Sequence, residues 1–179
     1  MRNWVFFIES EEECICPECK SGLKYRDKVL RIQRYRDSEP KWFAINRLKC
    51  TNESCGRIHR QLPDEMVKFK HYSAENIEDV IDEVIDENDV QVNPCEETIK
   101  HWRWWFQFNK NQMERQLHSV VYRFLDQGFG LLDPKDSLLE ELRKRISPGW
   151  LGMCYRIINN SGGVIRTTPD DQVHAPTSV

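Results

Sequence analysis

Cys16-Pro17-Glu18-Cys19 and Cys50-Thr51-Asn52-Glu53-Ser54-Cys55 decide how this chain is read. A Cys-x2-Cys turn sets two thiolates on one tight knuckle. A second pair delivered across a hairpin completes a tetrahedral set of four sulfurs, the arrangement that structural zinc takes. The four residues between Cys50 and Cys55 make the second knuckle looser than the first, though still usable. The hairpin itself is legible between the pairs. Val29 to Arg36 alternates apolar Leu30 and Ile32 with basic Arg31, Arg34 and Arg36, and Asp37-Ser38-Glu39-Pro40 signals a turn. Trp42 to Lys49 then returns as a strand and carries Cys50 back toward Cys16 and Cys19. The spacing therefore predicts one structural zinc held by Cys16, Cys19, Cys50 and Cys55 in a ribbon.

The remaining thiols and a nearby histidine read differently. Cys14 lies two residues before Cys16 in an extended segment and is expected to be a bystander. His59 follows Cys55 closely enough to be an alternative ligand, but four thiolates already fill a tetrahedron, so a surface or phosphate-contacting role is expected. Cys95 and Cys154 fall in helical contexts and read as free, buried thiols.

At 179 residues, with 39% hydrophobic and 31% charged residues, the chain can bury one moderate core beside a small metal-held module. Seven is an odd number of cysteines, and Met1-Arg2-Asn3-Trp4 opens no signal peptide. Metal binding in a reducing, cytoplasmic compartment is thus expected over a disulfide framework. No apolar run approaches the roughly 20 residues that span a bilayer, so no membrane partner is expected. The net charge of −3 conceals strong segregation. Residues 16–72 hold 14 Lys/Arg against 7 Asp/Glu, residues 73–97 hold none against 10, and residues 98–127 hold 5 against 2. A basic ribbon is followed by an acidic segment.

Residues 1–8 read as a short aromatic and branched strand, broken by Glu11, Glu12 and Glu13. After Leu62-Pro63-Asp64 closes the ribbon, Ser73 is an N-cap with Glu75 in the first turn, where an acid meets the positive end of the helix dipole. Ile77, Val80, Ile81, Val84 and Ile85 share one helical face. A second helix is predicted from Asn93 as cap and Pro94 at its first position, with Ile99, Trp102, Trp105 and Phe106 inward. Trp104 and Phe108 form a flank expected to meet the following helix. Residues 111–127 are helical with Leu117, Val120, Val121, Phe124 and Leu125 inward, and Gly128-Phe129-Gly130 ends them. Ser137–Ile146 and Trp150–Ile158 are two further helices separated by Pro148-Gly149. The fold class is α+β: a zinc ribbon over residues 1–70, an all-α, helix-turn-helix-like region over 71–160, and a mobile tail over 161–179.

Cys16-Pro17-Glu18-Cys19, Arg47-Leu48-Lys49-Cys50 through Cys55-Gly56-Arg57, Leu62-Pro63-Asp64 and Tyr72-Ser73 together resemble the N-terminal zinc ribbon of certain bacterial transposases. Glu97-Thr98-Ile99-Lys100-His101-Trp102 is similar to the recognition helix that follows such ribbons. The whole is similar to an uncharacterised bacterial family that joins a ribbon to a short DNA-binding-like segment without a nuclease domain. The likeness covers about residues 14–108. Transposases of this kind continue into a catalytic domain with metal-binding carboxylates, and this chain is expected to lack one. The resemblance implies a DNA-binding module, not a recombinase.

Catalysis is not expected. His71, His101 and His118 have no neighbouring nucleophile in a recognisable triad setting, and the carboxylates of residues 75–89 lie on a solvated helical face. Gly128-x-Gly130 lacks the strand and helix of a phosphate loop. Two function classes stay open. In one, Arg31, Arg34, Arg47, Arg57 and Arg60 grip the phosphates of double-stranded DNA while Lys100 and Arg103 enter a major groove. In the other, the ribbon is only a staple, and the protein is an adaptor that binds a partner through Trp104, Phe108 and Trp150.

Overall fold

The computed structural model describes residues 4–10, 13–36, 38–85, 94–125 and 137–166. Its sheet has four strands among these residues: β1 (Val5–Phe7), β2 (Leu23–Gln33), β3 (Lys41–Cys50) and β4 (Ile58–Arg60). β3 is central. β2 pairs antiparallel along one edge, with Leu23 opposite Cys50 and Gln33 opposite Lys41. β1 (parallel) and β4 (antiparallel) share the other edge end to end. The predicted hairpin is present, but β2 starts at Leu23, six residues before Val29, and carries a bulge between Tyr25 and Asp27. Glu11, Glu12 and Asp37 lie outside the described residues.

Arg31, expected among the residues that grip phosphate, lies instead on the covered face of β2. Leu30 is 63% exposed, whereas Arg31 is only 9% exposed. Strand alternation defines two faces but not which one is covered. Here the covered face holds Val29, Arg31, Phe43 and Ile45, with Met66, Leu62 and Ile8 packed nearby. Arg31 is tolerated there because its Nη2 donates to the carbonyl of Val67 at 3.0 Å and to that of Lys70. A buried guanidinium needs such acceptors.

Four helices follow: α1 (Ala74–Ile81), α2 (Glu96–Leu125), α3 (Leu138–Arg145) and α4 (Trp150–Asn160). Ser73 caps α1 as predicted, its Oγ accepting from the Asn76 amide at 3.2 Å. The helix ends earlier than its apolar pattern suggests, since Glu83 adopts a positive φ of 61°. The turn swings Val84 into solvent and leaves Ile85 buried. The two segments predicted at 94–108 and 111–127 are one unbroken 30-residue helix, about 45 Å long. Trp104 and Phe108 therefore have no following helix to meet and stand exposed, stacked at 5.4 Å. Asn93 and Gly128–Gly130 lie outside the described residues, as do the side chains of Phe124 and Leu125.

Ile77, Val80, Ile99, Trp102, Trp105, Phe106, Leu117, Trp150 and Ile158 belong to the helical core; of the inward residues expected of α2, Ile99, Trp102, Trp105, Phe106 and Leu117 lie in it, while Val120 and Val121 do not. Two short helices receive their N-terminal caps from elsewhere in the chain. The Glu78 carboxylate of α1 accepts from the amides of Gly149 and Leu151, both at 2.7 Å, at the start of α4. Glu114 of α2 accepts from Leu138 at 2.7 Å and Leu139 at 3.1 Å at the start of α3. Each carboxylate meets the positive pole of a helix with free N–H groups.

Residues 161–166 do not begin a mobile tail. Ile165 is buried, and the Trp105 indole donates to the Arg166 carbonyl at 2.8 Å. Asn109 clasps Arg166 through both its amide nitrogen and oxygen. Across the expected boundary at residue 70, ribbon and helices are in contact. The Ser73 amide donates to Arg34 at 3.0 Å, Lys70 lies over the Trp105 ring, and Gly152 packs against the Asp64 carbonyl so closely that a Cβ would stand 2.5 Å from it. The class is α+β, with the cysteine-bearing sheet at one end and the helices at the other.

Candidate metal centre

The first knuckle forms because the Lys20 amide returns to the Cys16 carbonyl at 2.9 Å and the Cys16 amide to Ser21 at 2.7 Å. Lys20 takes the left-handed conformation this turn requires. The second knuckle absorbs its two additional residues through Asn52. The Asn52 carbonyl accepts from Cys55 and Gly56, and its side-chain oxygen accepts from the Ser54 amide at 3.0 Å. Gly56, with φ of 54°, supplies the left-handed residue that a side chain would strain. The Cys50 amide then closes on Arg57 at 2.9 Å.

These turns bring the sulfurs of Cys16, Cys19, Cys50 and Cys55 within 4.8 Å of one another, a group able to hold a metal ion. Cys16 and Cys55 are 3.8 Å apart, and Cys19 and Cys50 3.4 Å. A tetrahedron with metal–sulfur bonds of about 2.3 Å has edges of about 3.8 Å, so the set fits. Hydrogen bonds from Ser21 hold the Cys19 thiol down at about 6, while burial pushes Cys50 up to about 12. One thiolate is favoured in place; a cation is what makes four compatible.

His59 faces this cluster, not solvent. Its Nε2 is 3.3 Å from the Cys16 sulfur. Burial, with Lys68 and Arg57 nearby, lowers its pKa against the pull of Glu18. His59, expected to be a surface or phosphate-contacting residue, is half-buried and in contact with a candidate ligand. Cys14 stays outside the four-sulfur set and accepts from the Gln61 amide at 3.3 Å. Cys154 is buried as expected, but Cys95 is exposed at the start of α2.

The cations proposed for DNA scatter. Arg31 is interior, as described. Arg47 forms a two-pronged pair with Asp27, which holds that carboxyl below its usual range. Arg57 bridges the two knuckles through Glu18 at 3.1 Å. Arg34 sits over the Tyr72 ring, and Arg60 is exposed. On α2, Lys100 pairs with Glu96, and Arg103 donates to the carbonyl of Val80 in the last turn of α1 and to that of Ile85 beyond it. Arg103 is half-buried and engages the backbone around the end of α1. Trp150 is also no partner surface: it is wholly buried and donates to Asp82 at 2.9 Å.

A cluster that the sequence argument missed lies beside the second knuckle. Lys24, Tyr25, Arg26, Lys49, Cys50, Thr51, Glu53 and Gly56 line a cleft of about 750 Å³. Lys24 and Lys49 are directly opposed in the β2–β3 register. Like charges so placed repel. The bulge at Arg26 adds a third cation, held only loosely by Asp27 at 3.7 Å. The register of two strands brought these residues together, and no local motif announces it.

A family model described as "Domain of unknown function (DUF6431)" matches residues 16–102. The match starts at the first knuckle, holds all four cysteines and ends inside α2. No curated protein and no solved structure matches the chain. Among the described residues, no helix is long and apolar enough to cross a membrane.

Proposed function

We propose that this is a zinc-ribbon protein of the cytoplasm that binds double-stranded DNA without cutting it, as an accessory or regulatory factor of the kind its likeness to transposase ribbons suggests. The cross-strand pair of Lys24 and Lys49, in one cleft with Arg26, carries the reading. Like charges held in register favour an anion near them, although Glu53 lines the same cleft, and a phosphate backbone supplies a row of anions. Arg57 and Arg60 extend the cationic surface on the same end of the sheet. Zinc would be held by Cys16, Cys19, Cys50 and Cys55, and its work there is structural. It closes the knuckle end and so fixes Lys49, next to Cys50, in place.

The test is salt-dependent binding of zinc-loaded protein to mixed genomic duplexes. Each phosphate contact adds about 0.9 to the slope of log affinity against log salt. Replacing Lys24, Arg26 and Lys49 together by alanine flattens that slope by up to about three, with zinc retained. Absence of binding at low salt, or an unchanged slope, overturns the proposal. The adaptor alternative has one observation in its favour, the exposed stack of Trp104 on Phe108. Retention of a protein partner that is lost in Trp104→Ala, with no duplex binding, would establish it.

A further inference from the structure

We propose that the open face of the sheet is a second site, which takes a single-stranded nucleic acid and stacks its unpaired bases. The face is built from alternate residues of three strands. β1 gives Val5 and Phe7, β3 gives Trp42 and Ala44, and β2 gives Tyr25, Lys28, Leu30 and Ile32. Phe7 is 65% exposed and Tyr25 61%, and Leu30, across Ala44 from Phe7, is equally open. Among the described residues, no helix is in contact with a strand of the sheet. Exposed apolar side chains grouped on one face mark an interaction surface.

Charge names the ligand. Along β1, β2 and β3 this face carries no carboxylate, since Asp27 points to the other side and pairs with Arg47. Its one central charge is Lys28, whose Nζ lies 4.9 Å over the Phe7 ring. An exposed ring that carries a cation suits a nucleotide, which joins a flat base to a phosphate. Tyr25 and Phe7 stand opposite Leu48 and Ala44 of β3, four residues apart, about 13 Å along the strand. That spacing suits bases splayed from an extended single strand and not the edge of a paired duplex. The inference stands on exposed rings and does not rest on duplex binding.

Fluorescence anisotropy of a labelled oligothymidylate with the zinc-loaded full chain tests it, beside a duplex of equal length. Phe7→Ala weakens single-strand binding about tenfold, Phe7→Trp restores it, and duplex binding is unchanged in both. Because Phe7 and Leu30 are exposed, Phe7→Ala and Leu30→Ala melt with the wild type, so a loss is not misfolding. Equal affinity of wild type and Phe7→Ala for the oligothymidylate, or no binding at all, overturns the proposal. So does sedimentation showing a wild-type dimer that Phe7→Ala and Leu30→Ala dissociate, which would make the face a contact between two copies of this chain.

Discussion

Arg31→Met separates a structural strut from a phosphate contact. In the fold, one guanidinium nitrogen donates to the carbonyls of Val67 and Lys70, which lie in the segment joining ribbon to helices. Methionine retains the apolar stem but leaves both carbonyls without a donor. Each buried, unpaired acceptor costs about 1–3 kcal/mol. Part of that is offset because the variant no longer desolvates a charge, a burden expressed in the burial that lowers the Arg31 pKa. The expected net loss is about 2–4 kcal/mol. With a urea m-value of about 2 kcal/mol/M, the midpoint of zinc-loaded protein falls by about 1–2 M. Arg60→Ala, at an exposed position, stays within about 0.5 kcal/mol of wild type. A midpoint unmoved in Arg31→Met, with weaker duplex binding, would refute the assignment of Arg31 to the interior.

Cys19→Ser should lose the single bound zinc by elemental analysis, and amide exchange should accelerate in residues 14–62 before the helices. Trp102→Ala, at a buried position edge-on to Tyr72 at 5.0 Å, should cost about 3–5 kcal/mol in denaturant unfolding. Burial raises the pKa of Glu78 despite the amides of Gly149 and Leu151 that it accepts from. Its folded pKa lies above its unfolded one, so the stability it contributes is complete below the ordinary carboxylate range and is lost as pH rises through the raised value. The stability of wild type relative to Glu78→Gln should therefore decline from about pH 4.5 upward. A difference that is flat or grows with pH would contradict this.

The cysteine spacing made the candidate metal set legible because two short turns and a hairpin are local features, each with its own signal. Ser73 was legible for the same reason. The covered face of β2 was not. Its alternation of Leu30, Arg31 and Ile32 is symmetric, and the choice was made by carbonyls that lie more than 30 residues away. The continuity of α2 was hidden by Asn109, Lys110 and Asn111, which look like a break. Asn109 is instead wholly buried, and it satisfies the backbone of Arg166. That same contact explains why residues 161–166 were misjudged: a segment with little apolar content is held by side-chain amides of α2. The cleft of Lys24, Arg26 and Lys49 depends on strand register, which a linear reading of charge does not supply.

The carboxylates of Glu78 and Glu114 carry a lesson about how this fold comes apart. Each seals the first turn of a helix that lies more than 20 residues further along the chain. Neither α3 nor α4 is finished by its own neighbours alone, although Ser137 contributes to α3. A fragment holding only residues 137–166 would fray at both helix starts. In the intact protein, the amides of Leu138, Leu139, Gly149 and Leu151 cannot be released by fraying of their own helices while these carboxylates remain docked. Their hydrogen exchange should follow the opening of the entire helical assembly, so four amides at helix ends, where exchange is ordinarily fastest, would be among its slowest.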